Sequence, residues 1–197
     1  MIKARAAVLI SGRGSNMMAL VEAARAADFP AQIVCVVSNR ADAPGLEFAV
    51  ANGIATTVMD HKDFASRQDL DAALDKYLKS QDIDIVACAG FMRILSPSFI
   101  ESWKDRILNI HPSLLPAYKG LNTHERALAD GARTHGCTVH IVTAELDDGP
   151  IVLQAEVPVL ANDTPASLAA RVLSEEHRIY PLALAKVARE LQAKTST

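Results

Sequence analysis

Apolar and polar residues alternate with two periods in the first half of the chain, one typical of strands and one typical of helices. Short aliphatic or β-branched runs predict strands at Arg5–Ile10, Ile33–Val37, Ala55–Met59, Ile83–Cys88 and Ile107–Ile110. Longer helical patterns between them predict helices at Asn16–Ala27, Gly45–Asn52 and Phe64–Ser80. Because strands that alternate with helices run in one direction, the pattern predicts a parallel sheet covered by helices.

The pattern changes in the second half of the chain. Two strand-like runs, Cys137–Thr143 and Ile151–Val159, flank a turn-rich stretch and predict an antiparallel part of the sheet. A long helix is predicted to begin at Thr164 and Pro165, since threonine is a good N-cap and proline is favoured at the first helical position. Pro181 should kink or break that helix, because proline has no amide hydrogen to donate.

These elements predict the α/β fold class. The chain has 197 residues, which is enough for one compact domain, and no linker-like stretch divides it. We expect a single domain over residues 1–197, built on an open, twisted, mostly parallel sheet with helices on both faces. Its N-terminal half should be Rossmann-like.

Composition and charge exclude several kinds of partner. The chain has 20 Lys and Arg residues against 23 Asp and Glu, and the net charge of −3 argues against a nucleic-acid partner, which usually requires a basic face. The apolar run that ends at Ile10 is too short to span a membrane and lacks a signal-peptide cleavage region. We therefore expect a cytoplasmic protein without a membrane partner.

The cysteines predict neither a disulfide framework nor a zinc site. Cys35, Cys88 and Cys137 are far apart and form no CxxC pair, whereas zinc ligands usually come in close pairs. We interpret all three as structural thiols in a reducing compartment and expect no metal. Cys137, close to His135, is the one weak candidate for a nucleophile.

A glycine-containing loop, Ser11–Asn16, joins the first predicted strand to the first predicted helix. Glycines let the backbone turn tightly and present N–H groups, and the N-terminus of the following helix favours an anion. The spacing fits neither a dinucleotide loop nor an ATP loop, so a single phosphate is the better ligand. A plain strand–helix turn capped by Ser15 or Asn16 explains the same residues equally well, and the local sequence leaves both open.

The strongest local signal is Asn109–Pro116, where a predicted strand ends and two prolines stiffen the residues after it. Alternation along the strand places Asn109 and His111 on one side, at the end of a parallel sheet where open α/β folds bind substrates. An amide N–H and an imidazole N–H could together stabilise the oxyanion that develops during acyl transfer. The alternative left open is that both side chains merely stabilise a turn.

Asp147, in the turn-rich stretch 145–150, is the candidate carboxylate for this pair. A carboxylate beside His111 would favour the charged imidazolium and could help to relay a proton from an attacking amine. The chain lacks a serine-centred nucleophile motif, and direct attack by a substrate amine requires no enzyme nucleophile. Taken alone, Asp147 is better explained as a turn cap.

The same segments resemble the phosphoribosylglycinamide formyltransferases over nearly the whole chain and in register. The stretches that carry the resemblance are Val8–Asn16, Asn109–Leu128, His135–His140 and Leu146–Gln154. The resemblance implies the formyltransferase fold. It also implies an enzyme of purine biosynthesis that transfers the formyl group of 10-formyltetrahydrofolate, a co-substrate, to the amine of glycinamide ribonucleotide.

The resemblance also implies roles for individual residues. Asn109, His111 and Asp147 correspond to the catalytic residues. The residues that correspond to substrate contacts, chiefly to the phosphate, are Gly14, Ser15, Asn16 and Glu176. The residues that correspond to folate contacts are Arg67, Met92, Arg93, Ile94, Leu95 and Asn109. The N-terminal half would then bind the nucleotide phosphate and the C-terminal half the folate, with small molecules as the only partners and a monomer or homodimer left open.

Some residues near the predicted site are left outside it. His140 could face the site from its strand, but a packed strand histidine is the favoured interpretation, and His124 and His135 are left out of the site with the same alternative open. Ile141 stands where the family commonly has an aromatic residue, and Ala144 where it commonly has an acid. Because both are near the loop expected to hold the pterin, these two departures concern folate affinity rather than the chemistry.

Three other functions compete with this one. Formyltetrahydrofolate deformylase would use the same trio with water in place of the amine, and methionyl-tRNA formyltransferase would use a different acceptor. Both carry an additional domain, for which we expect no room here, because the first predicted strand begins within ten residues and the chain ends soon after the last helix. A non-catalytic folate- or nucleotide-binding module is the third alternative, and the intact trio argues against it.

Overall fold

The structure, a computed structural model, describes residues 2–195. Its strands are β1 (Ala4–Ile10), β2 (Ala31–Ser38), β3 (Ala55–Val58), β4 (Ile85–Cys88), β5 (Ile107–His111), β6 (Thr134–Ile141) and β7 (Ile151–Pro158). Its α-helices are α1 (Ser15–Ala24), α2 (Gly45–Ala51), α3 (Arg67–Ser80), α4 (Pro97–Ser102), α5 (Thr123–Ala129) and α6 (Pro165–Thr195). A short 3₁₀ helix covers His61–Asp63.

All seven strands form one sheet in the order β3-β2-β1-β4-β5-β6-β7. The five strands from β3 to β5 are parallel, and β6 and β7 are antiparallel to their neighbours. The predicted fold class is therefore confirmed, including the antiparallel second half. The order of the strands reverses between β1 and β4, and open α/β sheets bind ligands at such a switch point.

The sheet is buried on both faces, as its aliphatic strands predict. In β1, Ala6, Val8 and Ile10 point into the core beneath α1, α2 and α6, whereas Ala7 and Leu9 point into the core beneath α3 and α4. All five are fully buried. A strand packed on both faces must be apolar at every position, which explains the unbroken run in the sequence.

Two predictions about helices were wrong or incomplete. α6 runs from Pro165 to Thr195 without the break expected at Pro181, although this proline cannot bond to the carbonyl four residues earlier. Tyr180, Ala183 and Leu184 are fully buried around it, so packing against the sheet offsets the lost hydrogen bond. The short helices α4 and α5 were not predicted, since neither is long enough to show a clear helical period.

The bounds of β6 also differ from the prediction. This strand begins at Thr134 and ends at Ile141, so residues 142 and 143 belong to the loop that leads to Asp147. Within the part of the chain that the structure describes, no helix is both long and apolar enough to cross a membrane.

Candidate active site

A cavity of about 760 Å³ opens beyond the carboxyl ends of β4 and β5. Its wall is formed by residues 90–95, 109–112, 120–125 and 142–147, together with Asn16, Cys88, Ile100, His140 and Glu176. This volume lies within the range of cavities that hold drug-sized ligands. The cavity brings together the amide, imidazole and carboxylate of Asn109, His111 and Asp147, which are 38 residues apart at their extremes in the sequence, 147 − 109.

Asn109 is held by a histidine that the sequence analysis left outside the site. The antiparallel pairing of β5 and β6 places His140 directly opposite Asn109, with its Nε2 atom 3.2 Å from Asn109 Nδ2. His140 Nδ1 lies 3.0 Å from the carbonyl oxygen of Ile141 and donates to it, so Nε2 carries the lone pair and accepts from the amide. Burial lowers the pKa of His140, which keeps the ring neutral at neutral pH. The second N–H of the Asn109 amide is left for a ligand.

His111 lies between two acceptors. Its Nε2 atom is 2.9 Å from the carbonyl oxygen of Tyr118, and its Nδ1 atom is 3.4 Å from Asp147 Oδ2. The same carboxylate oxygen accepts from the amide of Gly120 at 2.9 Å. The His111 and Asp147 side chains are only 7% and 9% exposed, so an ion pair between a protonated His111 and Asp147 would be poorly screened by water. These contacts fix the plane of the imidazole ring at the cavity wall.

The loop that carries Asp147 is kept in place by a close approach of two backbones. Asp147 has a φ of 50°, in the left-handed region. Gly149, two residues later, is buried, and a Cβ atom there would lie 1.7 Å from the carbonyl oxygen of Ile141. No side chain fits at that distance, so only glycine lets the loop pack against the end of β6 in this way.

Replacing Gly149 by alanine should therefore displace the loop. We expect the free energy of unfolding to fall by about 1–3 kcal/mol, as for other overpacked sites, and kcat to fall with it because Asp147 moves. Urea unfolding of the variant measures the first effect. Gly12→Ala is the control for stability, because a Cβ at Gly12 meets nothing within 4 Å. Equal unfolding midpoints for the two variants would contradict the prediction.

On the opposite wall, Asn16 and Glu176 form a buried pair. Asn16 Nδ2 donates to Glu176 Oε2 at 2.6 Å, and Asn16 Oδ1 has no hydrogen-bond partner in the described part of the chain. Burial raises the pKa of Glu176, while the bond from Asn16 opposes that shift. Asn16 Oδ1, the second N–H of the Asn16 amide and the other Glu176 oxygen are left for a ligand, so the two side chains suit a hydroxyl or an amine, which can both donate and accept.

A second part of the wall is apolar. Met92, Ile94, Leu121 and Leu146 all line the cavity and are each more than half exposed. Arg93 lies among them, and its buried Nε atom has no partner within residues 2–195. Exposed apolar side chains around a concave surface, with one unused donor between them, suit a flat ligand with a polar edge.

The cavity includes most, though not all, of the predicted site residues. All three predicted catalytic residues line it, as do Asn16, Glu176 and the predicted folate contacts Met92, Arg93, Ile94 and Leu95. Gly14, Ser15 and Arg67 are not part of this wall. Gly14 and Ser15 lie where α1 begins, Gly14 with a φ of 68°, and Arg67 is the first residue of α3. The roles predicted for all of these residues remain predictions.

We assign no role in the chemistry to the remaining histidines or to the cysteines. His135 packs edge-on against His124, and burial lowers its pKa to about 4. All three cysteines are buried and free, and burial raises the pKa of Cys137 to about 12. A thiol that stays protonated is a poor nucleophile, so the interpretation of Cys137 as structural is supported.

His140 is a residue of the cavity wall that sequence reasoning left outside the site, although it allowed that His140 could face it. Its position in β6 was interpreted as a packing site, and only the register of β6 against β5 shows that it faces Asn109. A signal was available in the alternation of β6, since the predicted antiparallel pairing allows every second residue of β6 to face the site. The contact between His111 and the carbonyl of Tyr118 could not have been predicted, because every residue has a backbone carbonyl and the sequence does not show which one lies near His111.

Comparison with known proteins places this arrangement in a family. The family described as "Formyl transferase" matches residues 4–184. The chain is 49% identical over 177 residues to the phosphoribosylglycinamide formyltransferase of Escherichia coli (strain K12), covering 90% of this chain and 84% of that one. It is 51% identical over 186 residues, 94% of this chain, to the human trifunctional purine biosynthetic protein adenosine-3. Of that longer protein the match spans only 18%.

Comparison with solved structures points to the same family. The crystal structure of phosphoribosylglycinamide formyltransferase from Brucella melitensis superposes with a TM-score of 0.91 at 55% identity, covering 94% of this chain and 96% of that one. The resemblance stated from the sequence is confirmed, as is the prediction of a formyl-transferring enzyme related to those of purine biosynthesis. Its relatives by sequence, its fold and its match to the family all agree that the chain belongs to the formyl transferase family.

Proposed function

We propose that this formyl transferase moves the formyl group of 10-formyltetrahydrofolate to the amine of glycinamide ribonucleotide. The observation that carries the proposal is the convergence of Asn109, His111 and Asp147 on one cavity, with an N–H of Asn109 unused by the protein. The names of the relatives at about half identity supply the acceptor and the formyl group, and the family resemblance supplies the folate donor.

The nucleotide would be bound between the α1 N-terminus and α6. Backbone N–H groups of Gly14, Ser15 and Asn16 would bind the phosphate, because the first turn of a helix has unpaired donors and a favourable dipole. The acceptors on Asn16 and Glu176 would take donors of the same substrate, its hydroxyl or amine groups. The phosphate is thereby kept at the N-terminus of α1 and away from the Glu176 carboxylate, which would repel it.

The folate would occupy the apolar side of the cavity. Met92 and Ile94 supply exposed apolar side chains, Arg93 supplies its unpartnered Nε atom, and residues 142–147 line the same cavity. A flat heteroaromatic ring with polar edges fits such a wall. Since these two segments come from different halves of the chain, the C-terminal half would not bind the folate alone. Ala144 lines the cavity and Ile141 adjoins it, so both departures from the family lie on this side.

The transfer itself would be direct. The neutral amine of the nucleotide attacks the formyl carbon, a new C–N bond forms, and the formyl oxygen becomes negatively charged. Asn109 donates its free amide N–H to that oxygen, which is a task for a preorganised donor, and the positive charge of a protonated His111 would stabilise the same oxygen. The bond from the formyl carbon to the folate nitrogen then breaks.

A proton must leave the attacking amine and reach the departing folate nitrogen. Asp147 holds one side of the His111 ring and, with it, would relay this proton, directly or through one water. His140 would keep the Asn109 amide turned towards the formyl oxygen. No residue of this scheme requires a metal, and the absence of a metal cofactor stays a prediction, as do a monomeric or homodimeric state, small molecules as the only partners and a cytoplasmic location.

The test is to measure the loss of the formyl group from 10-formyltetrahydrofolate with and without glycinamide ribonucleotide. We expect loss only when the nucleotide amine is present, with one formylated nucleotide formed per formyl group lost. Formate released without the nucleotide would identify a deformylase and overturn the proposal. No loss under either condition would identify a binding module and overturn it as well.

A further inference from the structure

The hydroxyl of Tyr180 in α6 bonds to the sheet directly beneath the cavity. Tyr180 is fully buried, and its hydroxyl lies 2.9 Å from the carbonyl oxygen of Cys88 and 3.2 Å from that of Leu108. A tyrosine hydroxyl has one proton, so it is shared between the two carbonyls. These carbonyls belong to neighbouring strands: Cys88 is the last residue of β4, and Leu108 is the second residue of β5 and precedes Asn109.

Tyr180 and the Leu108 carbonyl that it contacts are each next to a residue of the site. The carbonyl of Leu108 belongs to the peptide bond that joins Leu108 to Asn109. Tyr180 follows Glu176 by four residues on the same helix, so their side chains share one face of α6. Glu176 in turn accepts from Asn16 at the start of α1. The hydroxyl therefore joins the helix that carries Glu176 directly to the strand that carries Asn109.

The folate side of the cavity is anchored by other bonds. The chain beyond Cys88 is tied to β1, because Ala89 N donates to the carbonyl of Leu9 at 2.9 Å. Met92 N donates to the hydroxyl of Ser11 at 2.8 Å. Apart from the Tyr180 bond to Cys88, residues 89–95 are held by contacts that do not involve α6, so a small shift of that helix should move them less than it moves Glu176.

From this geometry we infer that Tyr180 is a positioning residue, which places the nucleotide bound at Glu176 at the right distance from Asn109. The inference rests on the proposed function, because it assigns Glu176 to the nucleotide and Asn109 to the formyl oxygen. Transfer needs the amine and the oxyanion donor aligned closely, and a misplacement of about 1 Å can cost about 100-fold in rate. The loss of a single buried hydrogen bond should have a smaller effect than that.

Tyr180→Phe tests the inference, because the substitution removes the hydroxyl and keeps the ring that fills the core. We expect kcat to fall and the KM for glycinamide ribonucleotide to rise, each about three- to ten-fold, while the KM for the formyl-folate changes less than about two-fold. Tyr77→Phe is the matched control. The Tyr77 hydroxyl interacts with the side chains of Thr57 and Cys35, away from the cavity.

Two results would overturn the inference. One is a Tyr180→Phe enzyme with unchanged kcat and nucleotide KM, or with changes no larger than those of Tyr77→Phe, even if its melting temperature is lower. The other is a Tyr180→Phe chain that does not fold, since that would assign Tyr180 a purely structural role.

A spectroscopic measurement separates this inference from the proposed function. In protein labelled with ¹⁵N-asparagine, the side-chain amides of Asn16 and Asn109 report the two positions that Tyr180 connects. If the parent protein shows no amine-dependent transfer, the proposed function fails and this spectrum decides. Displaced Asn16 and Asn109 resonances in Tyr180→Phe, but not in Tyr77→Phe, would support the positioning role, and unmoved resonances would overturn it.

Discussion

Replacing Asn109 by alanine should lower kcat by about 10²–10³-fold, the usual effect of removing one donor to a developing oxyanion. The amide is already fixed in the free enzyme, because His140 accepts one of its N–H groups and leaves the other for the ligand. A donor that needs no reorientation contributes fully when negative charge develops on the formyl oxygen. The charge exists only in the transition state, so the KM values should change little. Steady-state kinetics with each substrate varied in turn measures both effects.

Asn52→Ala is the matched control for this variant. Asn52 ends α2 and donates to the carbonyl of Phe48 at 2.8 Å, and it does not line the cavity. The same substitution there also removes a hydrogen bond, yet kcat should remain within about two-fold of the parent value. If Asn109→Ala turned over as fast as Asn52→Ala, the formyl oxygen would have to be stabilised by other groups.

The parallel part of the fold could be predicted because its physics is local. Strands β1 to β5 are short aliphatic runs between helical patterns, and each was predicted to within a few residues of its bounds. The long-range terms were harder to predict. The continuation of α6 through Pro181 depends on the burial of Tyr180 and Leu184 against the sheet, which no local rule contains.

The site residues likewise include some that the local sequence predicted and some that depend on long-range contacts. Alternation along one strand placed Asn109 and His111 together, and the structure agrees. The local sequence favoured a turn cap for Asp147, and only the family resemblance made it part of the site. The physical reason is that Asp147 reaches His111 through a loop held by Gly149 and by the amide of Gly120, both of which are contacts made in three dimensions. His140 was left outside the site for a related reason, since its role depends on the register between two strands.

Asp147→Asn should lower kcat by about 10²–10⁴-fold, which is at least as large an effect as that expected for Asn109→Ala. Asparagine has the same shape and tolerates the left-handed backbone at this position, where φ is 50°, so the loop should keep its course. What changes is the charge 3.4 Å from His111 Nδ1 and the ability to accept a proton. The neutral amide can still accept from Gly120, but it cannot stabilise a charged imidazole or relay the proton of the attacking amine.

The neighbouring Asp148 provides the comparison that makes this prediction sharp. Asp148→Asn is the same chemical change one residue later, in the same loop. The Asp148 side chain is 51% exposed and pairs with Lys119 at the surface, where such pairs contribute little. We expect its kcat to stay within about two-fold of the parent value. Equal turnover in the two variants would remove Asp147 from the proton path, whereas a large loss confined to Asp147→Asn, at an unchanged melting temperature, would tie the loss to the charge beside His111. The local sequence favours a turn cap for this carboxylate. Such a result would instead assign it to the proton relay, because the fold brings it within reach of the imidazole.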